Sequence, residues 1–218
     1  MDMDALASEM TKFMMLMTET GLCHLRGGNC AVRVADDEFV LTRHQTAKEK
    51  LGREHLVAAR IWSDDDVPDA SVNVQLHRQV FRRTDARVVL HGHPYHAALL
   101  SYFQTEIWPL DENSLSYIGS PIRVVAAEGF KQWKPIESEL ADALCHVPAV
   151  VLRWHGGYTI GKDFGEAFNR MQALDQAARF IIDVERLGAV LGPPRLPPYA
   201  ASQDASRHTQ GYDSGNSG

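Results

Sequence analysis

Two short apolar runs, each leading into histidine, constrain this chain more than any other feature. Arg87-Val88-Val89-Leu90 runs into His91-Gly92-His93-Pro94-Tyr95-His96, and Ala149-Val150-Val151-Leu152 runs into Arg153-Trp154-His155-Gly156-Gly157. Runs of this length, rich in valine, read as buried strands, and both histidine clusters fall just past the strand ends. Side chains at i and i+2 of an extended segment point the same way, so His91 and His93 aim their imidazoles at one point. A third neutral imidazole from a neighbouring strand end, for which His155 is the candidate, completes a three-nitrogen face. Such a face leaves one or two positions open for water or substrate, as a catalytic divalent metal requires.

The rest of the chain supplies the layers around those strands. Leu6, Met10, Phe13, Met14 and Met17 recur at helical spacing over 4–20, with Gly21 as the stop, and the methionines read as core filler. Residues 30–34 and 39–42 read as a hairpin around Asp36-Asp37-Glu38, with a further short strand over 56–62. Helices are expected over 72–83, 97–103 and 136–145, a strand over 122–126, and a long amphipathic helix from Phe164 through Ile182. The order implies an α/β fold, a sheet with helices on both faces. From residue 192 the chain turns to Pro, Ser, Gly, Gln and Asp, so one domain over 1–191 and a flexible tail over 192–218 are expected.

Composition narrows the function classes. A net charge of -6 gives no general attraction to polyanions, which argues against nucleic acid as a partner. The apolar stretch Phe13 to Met17 is too short to span a membrane and follows acidic residues, so neither a membrane anchor nor an export signal is expected. Cys23, Cys30 and Cys145 are odd in number and scattered, as reduced thiols in a cytoplasmic protein would be.

His91, His93 and His96 resemble the first half of the metallo-β-lactamase pattern, but that pattern has an aspartate before its third histidine and Tyr95 stands there. A cupin offers the same histidine pair but needs many short strands where this sequence has long helices. His96 therefore reads as a structural or supporting residue. His24, His44, His146 and His208 read as ordinary histidines.

The chain resembles the class II aldolase/adducin family. The resemblance rests on Gly28-Asn29-Cys30-Ala31-Val32-Arg33, on His91-Gly92-His93-Pro94, on Val151-Leu152-Arg153-Trp154-His155-Gly156, and on Gly161-Lys162 through Ala167-Phe168. It covers roughly residues 5 to 188, in order. It implies a three-layer α/β/α fold with a central, mainly antiparallel sheet. It also implies a divalent metal on His91, His93 and His155, zinc first, with manganese, iron or cobalt as alternatives. Phosphate-binding positions of the family fall on Gly28, Asn29, Thr42 and Ser71, and a small anionic substrate follows. The resemblance further implies a homotetramer in which Tyr117 is lent to a neighbouring subunit's site.

Three departures matter. Thr42-Arg43-His44-Gln45 replaces the family's T-P-x-G, Val72 replaces its second serine, and Asn73 replaces its acid/base glutamate. A carboxamide neither takes nor gives a proton at neutral pH, so Asn73 is expected beside the metal as a hydrogen-bonding residue. Arg43 and His44 stand where they can serve a carboxylate or a different phosphate pose. The expected function is a metal-dependent lyase acting on a C–C bond of a small hydroxy-carbonyl substrate, by aldol cleavage or decarboxylation. The alternatives are a sugar-phosphate epimerase or isomerase and a non-catalytic adducin-like module.

Overall fold

The computed structural model describes residues 2–119, 121–126 and 136–195. β1 (Asn29–Ala35) and β2 (Glu38–Thr42) form the expected hairpin, and β3 (Leu56–Arg60) pairs along its outer edge. β4 (Val88–Gly92), β5 (Glu106–Ile107), β6 (Ile122–Val125), β7 (Ala149–Leu152) and β8 (Gly156–Gly161) complete an eight-stranded sheet in the order β3-β2-β1-β4-β8-β7-β6-β5. Among the described residues β6 and β7 are the one parallel pair, so the sheet is mainly antiparallel, as expected.

Period-two alternation of the strands divides the core in two. Val88 and Leu90 of β4 and Ala149 and Val151 of β7 face the larger cluster. That cluster takes in α1 (Met3–Glu19), α3 (Tyr95–Leu100), α4 (Glu112–Ile118) and α6 (Phe164–Leu191). Val89, Val150 and Leu152 face the other cluster, built with α2 (Val74–Arg83) and α5 (Glu137–Leu144). The result is the three-layer α/β/α arrangement. Met10, Met14 and Met17 are fully buried in the first cluster, which bears out their reading as core filler.

Four elements differ from the sequence expectation. β8 occupies Gly156-Gly157-Tyr158-Thr159-Ile160-Gly161, a run whose glycines are poor strand formers and hide the strand. Glycine is required there by close approach, since a Cβ on Gly156 would stand 2.2 Å from the Gly92 carbonyl oxygen. α3 begins at Tyr95, two residues earlier than its periodicity indicates. Asp175 of α6 accepts from the amides of His96 (2.8 Å) and Ala97 (3.4 Å), a cap supplied from across the fold. α2 begins at Val74, leaving Asn73 at the helix boundary with its side chain uninvolved in capping. β4 ends on Gly92, one residue past the end at His91 that the sequence indicates. Two short elements, β5 and α4, have no counterpart in the sequence reading, and α6 continues to Leu191. Most of the expected tail, from 196 on, lies outside the described residues.

Candidate metal centre

His91 sits on β4 in register with Tyr158 on β8. Its Nδ1 lies 3.0 Å from the Gly157 carbonyl oxygen. A carbonyl only accepts, so Nδ1 carries the proton and Nε2 presents a lone pair, the tautomer a metal ligand needs. That Nε2 faces His155 Nε2 at 3.2 Å. His93 leaves the end of β4 with its amide held by the Leu22 carbonyl at 2.6 Å, and its ring centre is 4.9 Å from each of the other two. The potential ligand atoms of the three all lie within 4.8 Å of one another, and they form the one such His, Cys, Asp or Glu group among the described residues.

The turn between β7 and β8 presents His155. Trp154 is held at φ 63°, a left-handed conformation that L side chains adopt at some cost. The surroundings maintain it: the Trp154 amide donates to Ser101 Oγ at 3.0 Å and the His155 amide to the Leu152 carbonyl at 3.1 Å. On the opposite side Gly28, at φ 67°, passes so close to β4 that a Cβ would stand 2.6 Å from the His91 carbonyl oxygen.

Burial holds all three imidazoles neutral. It pushes His91 well below its ordinary range, with His93 and His155 adding repulsion. Burial, followed by the repulsion that a protonated His155 would exert, takes His93 down to about 4, and burial also lowers His155. Neutral imidazole nitrogens converging on one point are the donor set for a borderline divalent ion, and His93 Nδ1 is buried with no hydrogen-bond partner. The residues present therefore fit such a metal.

A cavity of ≈ 120 Å³ opens beside the histidines, and Arg26, Gly28, Asn29, Arg43, Ser71 and Asn73 also line it. Thus Gly28, Asn29, Ser71 and Asn73 come together with the three histidines, as does the Arg43-His44 pair. Val72, which replaces the second serine, lines the same cavity and is exposed. Thr42 is buried with its hydroxyl unpartnered and does not line the cavity. Tyr117 is exposed on α4, away from this lining. His96 pairs with Asp175 at 2.8 Å and ties α3 to α6, the structural role its sequence context suggests.

Arg26, His77, Lys48 and Tyr158 escaped the sequence reading. Lys48 is 1% exposed and donates from Nζ to the carbonyls of Gly28 (3.0 Å) and Thr46 (3.4 Å), and burial lowers its pKa. Lysines are almost always solvated, so nothing local marked this one as buried. Tyr158 was concealed among the glycines of β8. His77, four residues after Asn73, gave a signal in that spacing alone.

An eight-stranded α/β/α sheet with three converging imidazoles at neighbouring strand ends defines an α/β protein of the class II aldolase type. The chain belongs to the Class II Aldolase and Adducin N-terminal domain family, whose model matches residues 8–182. It is similar to the methylthioribulose-1-phosphate dehydratases of Sulfurihydrogenibium sp. (strain YO3AOP1) and Persephonella marina. Identity is 24% to each, over 162 and 164 residues, covering 68% of this chain and 75% of the relative. Its fold is similar to that of the L-fuculose-1-phosphate aldolase of Thermus thermophilus, with a TM-score of 0.77, 28% identity, and 87% and 98% of the two chains covered. It also matches YgbL of Klebsiella pneumoniae, a putative aldolase/epimerase/decarboxylase, with a TM-score of 0.74 and 21% identity over 84% and 91% of the chains. Aldolases and dehydratases are both lyases, and no helix among the described residues is long and apolar enough to cross a membrane.

Proposed function

We propose that this chain is a metal-dependent lyase acting next to the carbonyl of a small hydroxy-carbonyl substrate that carries a phosphate or a carboxylate. The reading is carried by one observation: a cavity that joins three neutral, converging histidines to two arginines and two buried asparagines. His91, His93 and His155 would hold the divalent ion, zinc first. When bound, it supplies positive charge that polarises the substrate carbonyl and stabilises the negative charge developing beside it.

The chain's own side chains supply binding and orientation. Arg26 and Arg43 bring positive charge to the cavity, and a guanidinium recognises a planar or tetrahedral anion with paired N–H groups. Ser71 and the Gly28-Asn29 turn offer short donors for the same anion. Asn73 hydrogen-bonds the reacting part of the substrate and moves no proton. Decarboxylation, which needs charge stabilisation more than a protein base, tolerates this substitution better than aldol cleavage does. Loss of water is the second reading, favoured by the two dehydratase relatives.

Of the exposed aromatics Tyr95, Tyr102, Phe103 and Trp154, Tyr95 lies two residues after His93 and Trp154 immediately precedes His155, and Tyr102 and Trp154 have ring centres 6.0 Å apart. Exposed aromatics of this kind fit a surface buried in a homo-oligomer; the tetramer, with the site between subunits and Tyr117 lent by a neighbour, rests on the family resemblance. Three free cysteines fit a reducing compartment, the cytoplasm.

The test is turnover of protein loaded with zinc, manganese or iron on hydroxy-keto acids and ketose phosphates, with aldehyde, carbon dioxide and dehydrated product followed by NMR. Turnover faster than about 1 per second on one class assigns the reaction. Absence of all three products across the panel rejects the proposal, and a monomeric mass by light scattering at micromolar concentration rejects the subunit arrangement.

A further inference from the structure

Behind the three histidines runs a buried chain of side-chain hydrogen bonds that has a direction. His77 Nε2 lies 2.7 Å from Asn29 Oδ1, Asn29 Nδ2 donates to Asn73 Oδ1 at 2.8 Å, and Asn73 Nδ2 donates to the Tyr158 hydroxyl at 2.9 Å. All four residues are 6% exposed or less. A carboxamide oxygen only accepts, so the link to Asn29 places the His77 proton on Nε2 and leaves Nδ1 bare. His77 Nδ1 is buried with no partner. A bare nitrogen tolerates that position better than an N–H, because an orphaned buried donor is the rarer and more expensive defect. Reversing the chain would put the proton on Nδ1, where no acceptor waits.

The direction decides what Asn73 offers the cavity it lines. Its oxygen already accepts from Asn29, and Tyr158 takes one of its two amide protons. The second proton remains for a ligand. We propose that His77 is a positioning residue: it sets the direction of the Asn29–Asn73–Tyr158 chain so that Asn73 presents N–H, and not C=O, to an anionic oxygen of the ligand. A flipped amide would put an oxygen where the nitrogen stands and turn the same spot from attracting anions to repelling them. Only the ligand's class rests on the proposed function; the direction of the chain does not.

The experiment uses full-length, zinc-loaded protein and oxalate, a small chelating dianion, as probe. Long-range ¹H–¹⁵N spectra of histidine-labelled wild type should show His77 as the Nε2–H tautomer, its signal assigned by loss in His77→Gln. His77→Gln keeps a donor toward Asn29 and should bind oxalate within about threefold of wild type. His77→Met removes the donor and should weaken oxalate about tenfold at unchanged zinc content, the loss of one hydrogen bond. A merely structural role would lower thermal stability in both variants and leave oxalate affinity equal. An Nδ1–H tautomer in wild type, or equal oxalate affinity in wild type and His77→Met, overturns the inference. Should His77→Met not fold, the wild-type tautomer decides alone. Failure of zinc-loaded wild type to bind oxalate overturns the donor role of Asn73, whereas intact oxalate response without lyase turnover counts against the proposed function alone.

Discussion

Tyr158 lies flat against His91: they are register partners on β8 and β4, with ring centres 4.2 Å apart and planes 16° from parallel. The same tyrosine accepts from Asn73, so one buried ring supports His91 on its face and the cavity's amide at its edge. Burial, above all, pushes its hydroxyl pKa upward, so Tyr158 stays protonated across the working pH range.

One divalent ion per chain is expected on the three histidines. His91→Ala and His155→Ala should each weaken metal binding at least by the 10- to 100-fold that loss of an outer hydrogen-bonding partner costs. Titration with zinc and elemental analysis check this. Wild type retaining less than about a tenth of an equivalent after reloading would count against the centre itself.

Gly156→Ala should be among the most damaging single-methyl additions. The new Cβ would meet the Gly92 carbonyl oxygen at 2.2 Å, and that contact is backbone on backbone, which no rotamer change relieves. Chemical denaturation should show a loss of about 3 kcal/mol or more, and metal affinity should fall with it because β4 carries His91. A variant within about 0.5 kcal/mol of wild type would show that β4 and β8 are less tightly apposed.

His77 gives metal-free protein an acid-sensitive stability. Burial lowers its pKa to about 3 in the folded state, against about 6.5 in an unfolded chain. Between those values the unfolded state binds more protons, so this contribution is complete above about pH 6.5 and is lost as pH falls toward 3. Its slope is at most about 1.4 kcal/mol per pH unit. Unfolding free energies of wild type and His77→Gln across that window should diverge as pH rises; parallel curves would show that His77 does not stay neutral.

Lys48 ties the Gly28 turn to the loop after β2. Lys48→Ala leaves the carbonyls of Gly28 and Thr46 without their donor and should destabilise by about 1–3 kcal/mol, visible in urea unfolding. Lys48→Arg should rescue little, since a planar guanidinium does not fit a site built around a compact ammonium. An unaltered midpoint for Lys48→Ala would mean that water replaces the ammonium.

A carboxylate at position 73 should change the chemistry. Asn73→Glu places an acid/base group beside the histidines and should raise or create aldol cleavage of a ketose 1-phosphate, while Asn73→Ala should reduce the native activity. Equal activity of Asn73→Ala and wild type in steady-state assays would reduce Asn73 to a bystander.

Local chemistry made much of this protein legible in one dimension. Period-two and period-3.6 apolar spacing located the hairpin, the strands before the histidines and the helices around them, because burial on one face leaves that imprint on any sequence. The HxH pair and the later His155 marked the candidate metal centre, where the three imidazoles do converge. Glycine in β8, the early start of α3 and the burial of Lys48 and His77 were decided by tertiary structure. Each depends on a group far away in the chain: the Gly92 carbonyl against β8, Asp175 capping α3, the Gly28 carbonyl on Lys48, Asn29 against His77. Which edge Asn73 turns to the cavity is likewise a property of four side chains from separate elements, because a carboxamide has the same composition in either orientation and only its neighbours' hydrogen bonds distinguish the two.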